Sequence, residues 1–204
     1  MTVPLQVAEI SKSFARKSVL TNISLAVPGG SLVGIVGENG VGKSTLLKII
    51  VGAIRPDSGS VTRAGSAGYC PQEPELFEEL TVLENFMLYA AAHGLPRDVW
   101  KKRADDLLGK LSFRQYEHSM VKTLSGGTRQ KLNLAIALLQ DPDVLVLDEP
   151  YAAFDWQTYL KFWELAEELR GIGKSLLIVS HLVYDKQKFD QIYELRSGSV
   201  ERTQ

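Results

Sequence analysis

The chain has 204 residues, 45% hydrophobic and 23% charged, with 23 Lys and Arg against 24 Asp and Glu for a formal net charge of −1. That length suits one large domain or a core with an inserted subdomain, and the even charge lacks the basic excess that nucleic-acid phosphates select, so no nucleic-acid partner is expected. No apolar run reaches the ~18 residues of a membrane span, "MTVPLQVAEI" lacks the basic and apolar regions of a signal peptide, and the single Cys70 has no disulfide partner, as in a reducing cytosol.

The first third reads as strands. "LQVAEI", "VLTNISLAV" and "SLVGIVG" are short apolar or alternating runs, with Pro28-Gly29-Gly30 as a turn between the second and third. After Gly42 the period changes. Leu46, Leu47, Ile49, Ile50 and Ala53 follow helical spacing with one buried face, and Pro56-Asp57-Ser58-Gly59 is expected to end that helix. "SAGYC" reads as a short strand whose Cys70 is a small buried residue or a reactive thiol. Residues 73–140 then lose strand character: "TVLENFMLYAAAHG", "DVWKKRADDLLGKL" and "GGTRQKLNLAIALLQ" are helical, the first two broken apart at Gly94-Leu95-Pro96. Strands return as "VLVLD" and "SLLIVS", continuous apolar runs suited to a parallel sheet buried on both faces. The amphipathic "QTYLKFWELAEELRG" between them makes a βαβ unit. The expected fold is α/β: a core of residues 1–72 and 141–204, with a helical subdomain inserted over 73–140.

Residues 37–44, Gly-Glu-Asn-Gly-Val-Gly-Lys-Ser, fit G-x-x-x-x-G-K-[ST] directly after a strand and before a helix. Glycines at 37, 40 and 42 let backbone N–H groups close on phosphate oxygens without Cβ clashes, and the helix start adds its positive end. Lys43 would reach the β- and γ-phosphates, and Ser44 would offer a hydroxyl to Mg²⁺. "VLVLDEP" places Asp148 and Glu149 at a strand's C-terminal end, where ligands collect in open α/β sheets. Alone, the pair reads equally as a solvated strand end. Beside a phosphate loop, Asp148 reads as a Mg²⁺ holder through water and Glu149 as the base that orients the attacking water. His181, after "SLLIVS", is either a γ-phosphate contact or a hydrogen-bonded strand-end histidine. Gln72, after "YCP", is a Mg²⁺ ligand or a surface glutamine. "LSGGTRQ" opens a helical run: Ser125 suits an N-cap, but Gly126 and Gly127 after it weaken a helix and expose N–H groups to an anion.

In this order, "GENGVGKST", Gln72, "LSGGTRQ", "VLVLDEP", "AAFD" and His181 resemble the nucleotide-binding subunits of ATP-binding cassette (ABC) transporters, over nearly the whole chain. "LSGGTRQ" is the part that separates this family from other phosphate-loop ATPases. The resemblance implies a P-loop NTPase core, mainly a parallel sheet with an N-terminal antiparallel β part, plus an α-helical signature subdomain. It implies ATP held by Gly37, Glu38, Asn39, Gly40, Val41, Gly42, Lys43, Ser44 and Thr45, with Phe14 against the adenine where the family more often has Tyr. It implies Mg²⁺ at Ser44, Gln72 and, through water, Asp148, and catalysis by Glu149 with Gln72 and His181. Ser125, Gly126 and Gly127 would cap the ATP of a second cassette, an identical chain or a paralogue, with Asp155 at the subunit contact. "AAFD" departs from the commoner Ser-Ala-Leu-Asp, and Tyr151 replaces the common Thr or Phe.

The resemblance further implies a separate transmembrane permease, with this chain on the inner face of the cell membrane. The stretch from Leu80 through Leu108 looks like the branch serving exporters of drugs, antibiotics or lipids, and the early end after "YELRSGSVERTQ" favours the same expectation. Glu73, Glu75, Glu78, Glu79 and Glu84, interleaved with Leu76, Phe77, Leu80 and Leu83, are expected to meet a basic cytoplasmic loop of the permease. Two other readings belong to the same motifs: a soluble ABC-type ATPase, and a nucleotide-dependent regulator not coupled to transport.

Overall fold

A computed structural model describes residues 3–15, 17–180 and 186–204. They form a three-stranded and a six-stranded sheet with five α-helices among the described residues. Strands β1 (Leu5–Phe14) and β2 (Lys17–Val27) pair antiparallel, and β4 (Ser58–Arg63) adds antiparallel to the other edge of β1. The larger sheet is built from β3 (Leu32–Val36), β5 (Ala67–Cys70), β6 (Val144–Asp148), β7 (Ser175–Ser180), β8 (Gln191–Arg196) and β9 (Ser199–Arg202). Its order is β5-β6-β7-β3-β8-β9. The pairs β6/β7, β7/β3 and β3/β8 are parallel, and β9 runs antiparallel to β8. This is the α/β architecture the apolar runs predict. Every residue of β6 and β7 is buried, which is why those runs show no alternation.

The helices are α1 (Lys43–Ile50), α2 (Val82–Ala92), α3 (Arg97–Lys110), α4 (Gly126–Leu138) and α5 (Trp156–Gly171). Helix α1 stops short of the expected boundary: Gly52, at φ 86°, turns left-handed and ends it before Pro56-Asp57-Ser58-Gly59 is reached. Instead of a turn, Ser58 and Gly59 begin β4, a strand whose residues are nearly all exposed and so carry no apolar pattern. Helix α2 starts where a capping box forms. Glu84 N–H donates to Thr81 Oγ1 (3.2 Å), and Thr81 N–H donates to Glu84 Oε2 (2.8 Å). Such a cap contributes about 1 kcal/mol. The break before α3 falls at Gly94, at φ 65°.

The chain divides into two compact units, Met1–Tyr69 with Asp143–Glu149 and Leu169–Gln204, and Cys70–Pro142 with Pro150–Glu168. In the first, Leu5, Ile10, Leu20, Ile23, Ile35, Leu46 and Leu47 are wholly buried in one core with Val146, Leu177 and Leu195 of the larger sheet. In the second, α2, α3 and α4 pack on one another around the buried Phe86, Leu108 and Leu132. Residues 150–168 group with these helices, so the helical unit takes in more than 73–140. Its aromatic side chains explain the segment and give Tyr151 a role: its ring meets Tyr159 and Phe162 edge-on at 5.3 Å each and lies 6.0 Å from Trp163.

Candidate functional site: a phosphate loop and a glycine-led helix

In the first unit, β3 runs straight into the loop and the loop into α1. Gly37 has no alternative residue, because a Cβ there would lie 2.5 Å from the Leu195 carbonyl oxygen of β8. Gly42, at φ 114°, caps α1 in a left-handed conformation, and its Cβ would meet Leu20 and Val19 at 3.0 Å. Glu38, Asn39 and Gly40 stand exposed at the tip, while Val41, Ser44 and Thr45 are half-buried. Lys43 is buried. Its Nζ donates to the carbonyl oxygens of Gly37 (2.6 Å) and Glu38 (2.9 Å), so the side chain runs back along the loop.

Two more groups share this environment. Asp148 ends β6 at 2% exposure and Glu149 follows at 8%. Burial pushes the Lys43 ammonium below the usual lysine range, and the carboxylates of Glu149 and then Asp148 pull it back up. A buried cation facing two buried carboxylates at a strand's C-terminal end is a site for polar chemistry rather than a packing solution. Glu149 has φ 50°, a left-handed conformation rare outside glycine, held by its N–H donating to Val179 O (3.0 Å). Phe14 is 45% exposed at the end of β1, with Lys12 Nζ 5.4 Å from its ring centre, so its face is free of the core.

The donors fit Mg²⁺. A hydroxyl at Ser44 and a carboxylate at Asp148 are the hard oxygen ligands it takes. Among the described residues no cluster of three or more His, Cys, Asp or Glu could cage a metal alone.

In the second unit, Ser125 is the N-cap of α4: Thr128 N–H donates to its Oγ at 3.3 Å. The two glycines that follow differ. A Cβ on Gly127 would lie 2.8 Å from Ala153 O, so Gly127 is required by packing. A Cβ on Gly126 would meet nothing within 4 Å among the described residues, which give no packing reason for glycine there. Asp155 is exposed and accepts from Thr158 N–H (2.7 Å) at the start of α5, which lowers its pKa. Gln72 is exposed in the loop after β5. Cys70 is a buried free cysteine. His181 lies outside the described residues.

The sequence reading missed Lys131, one and a half turns along α4. Burial lowers its pKa, a shift that the charge of Asp155 opposes and that of Lys161 reinforces. The expected acidic face also changes: Glu78 is paired with Arg129, and Glu79 with Lys122 at 2.6 Å. Two of those carboxylates are thus already neutralised by their own chain.

The ABC transporter family profile matches residues 20–152. The chain is 35% identical to the uncharacterized ABC transporter ATP-binding protein YthP of Bacillus subtilis, over 91% of this chain and 80% of the relative. It is 31% identical to Nod factor export ATP-binding protein I of Ralstonia nicotianae, over 95% of this chain and 64% of the relative. It is also 27% identical to ABC transporter G family member 20 of Dictyostelium discoideum, where it spans only 28% of that much longer protein. Among solved structures, the ATP-binding subunit of an ABC transporter superposes with a TM-score of 0.91 at 27% identity, covering 99% of this chain and 90% of that one. The dimeric post-hydrolysis state of the cassette MJ0796, bound to ADP and Pi, gives 0.89 at 25% identity, covering 98% and 99%. The chain thus belongs to the ABC transporter family as an ATP-hydrolysing nucleotide-binding subunit.

Proposed function

We propose that the chain pairs with a second cassette around two molecules of ATP, hydrolyses them with Mg²⁺, and drives a separate membrane subunit that exports a drug-, antibiotic- or lipid-like compound. The observation that carries the pairing is Gly126. A glycine that no neighbour among the described residues demands, at the first turn of a 13-residue helix, leaves backbone N–H groups open to an outside anion. A triphosphate held by one chain's loop and capped by the other's helix gives a two-fold arrangement with two identical half-sites.

The loop N–H groups and Lys43 bind and orient the triphosphate, exchanging the lysine's two carbonyl acceptors for phosphate oxygens. Phe14 offers its exposed face to the base. Ser44, Gln72 and, through water, Asp148 would hold Mg²⁺, which supplies charge compensation on the phosphate oxygens. Glu149 accepts a hydrogen bond from water and aims it in line with the γ-phosphorus; His181 contacts the γ-phosphate. Phosphoryl transfer asks mainly for positioning and charge stabilisation, and both depend on closure of the pair. Asp155 stands at the subunit contact. Residues 1–204 act as a single cassette, on the inner face of the cell membrane through the permease.

The names of two relatives support export: the Nod factor export protein, and the linearmycin resistance ATP-binding protein LnrL of Bacillus subtilis, 31% identical over 87% of this chain. No helix among the described residues is long and apolar enough to cross a membrane, which fits a separate permease. The test is growth of a strain carrying only Lys43→Ala against a panel of amphiphilic antibiotics. Sensitisation to a subset is expected; normal resistance with a lost nutrient uptake would argue for import.

A further inference from the structure

Cys70 ends β5 wholly buried, and Pro71 and Gln72 follow it into the loop. Asn133, in the middle of α4, is 4% exposed. Its Nδ2 donates to Pro71 O at 2.8 Å and to Cys70 Sγ at 3.2 Å. Gln130, equally buried and one turn earlier, aims Nε2 at the same sulfur at 3.9 Å. At the surface, Arg129 pairs with Glu78 of the same loop segment.

A buried carboxamide is costly unless its hydrogen bonds are made, and an apolar side chain would fill the space without that cost. What the amide adds is a fixed position. It pins the Pro71 carbonyl, one peptide before Gln72, to a helix whose first turn carries Ser125 and Gly126. Ser125 lies eight residues from Asn133, about 12 Å along a rigid helix. The exposed Arg129–Glu78 pair is too solvated to do this alone.

We propose that Asn133 is a positioning residue for ATP hydrolysis, fastening the Gln72 loop to the helix that caps the second cassette's ATP, so that the two move as one body. This rests on the reading of Gln72 and Ser125 given above. Gln72 then reaches its working position only together with Ser125, which ties one chain's hydrolysis to its contact with the other.

The experiment is a double-mutant cycle on steady-state Mg-ATP hydrolysis by the full chain, with Asn133→Ala, Gln72→Ala and both. Asn133→Asp keeps the shape without the donor and serves if the alanine variant does not fold. Asn133→Ala should lower kcat about tenfold, as sub-ångström misplacement of a reacting group does, and leave the KM for ATP within about twofold. It should lower kcat no further in the Gln72→Ala background, as for residues acting through one another. Losses that multiply, or wild-type kcat in Asn133→Ala, overturn the positioning role. A Gln72→Ala chain with wild-type kcat overturns it as well, and a loss confined to the Asn133 variants then places the fault in the reading of Gln72 rather than in the hydrogen-bonded tie.

Discussion

Lys43 Nζ lies 2.6 Å from the carbonyl oxygen of Gly37, the residue that opens the loop Lys43 closes. The lysine is therefore held at the phosphate position by the same backbone that will surround the phosphate, and burial weakens its hold on its proton. Removing it should cost ATP binding rather than folding. Lys43→Ala is expected to weaken nucleotide affinity by about 2 kcal/mol, roughly thirtyfold, the worth of a charged hydrogen bond. Titration with a fluorescent ATP analogue measures this; unchanged affinity would take Lys43 out of the phosphate site.

The two signature glycines separate stability from function. Gly126→Ala adds a Cβ into open space and should stabilise the chain by up to about 1 kcal/mol through helix propensity, yet reduce ATP hydrolysis at least about tenfold by crowding the donors aimed at the phosphate. Gly127→Ala forces a Cβ to 2.8 Å from Ala153 O and should destabilise by about 1–3 kcal/mol. Thermal melts and ATPase rates of both variants decide. If stability and activity fall in step in each, the glycines are only structural.

Acid should unfold the protein through its hydrogen-bonded carboxylates. Asp57 is lowered by the Lys12 side chain, and Glu84, Asp143 and Asp155 by the N–H groups of Thr81, Ser66 and Thr158. Because each folded pKa lies below the ordinary 3.8 of Asp or 4.5 of Glu, the unfolded chain binds more protons between the two values. The stabilisation is full above the unfolded pKa and is lost as pH falls through the folded one. The melting midpoint should hold down to about pH 5 and drop steeply below about pH 4. Glu84→Gln and Asp143→Asn should each make that drop shallower; identical slopes would assign acid unfolding to other groups.

How far the sequence reaches depends on where each element lies. Strands β3, β6 and β7 are buried on both faces, and their apolar runs announce them. Strand β4, "SGSVTR", exposes nearly every residue and is held by pairing with β1, so composition carries no trace of it. The β8–β9 hairpin turns on Ser197 and Gly198, both at positive φ, a signal present in "RSGS" but outweighed by short strands. Lys43, Asp148 and Glu149 are legible because motif spacing states their chemistry. The Asn133–Cys70 tie links positions 63 residues apart in sequence and only the fold brings them together. The pairing of Glu78 with Arg129 is invisible for the same reason.

If "LSGGTRQ" completes a neighbour's ATP site, two chains must close on each other around ATP. Light scattering of Glu149→Gln with and without Mg-ATP tests it most directly, since loss of the base should slow hydrolysis by about 10²–10⁴ and let the closed pair accumulate. Twice the monomer mass is expected with Mg-ATP, the monomer without it, and no dimer once Ser125→Arg is added. A Glu149→Gln chain that stays monomeric in saturating Mg-ATP, while the wild-type chain hydrolyses ATP at a rate per molecule independent of protein concentration, would contradict it.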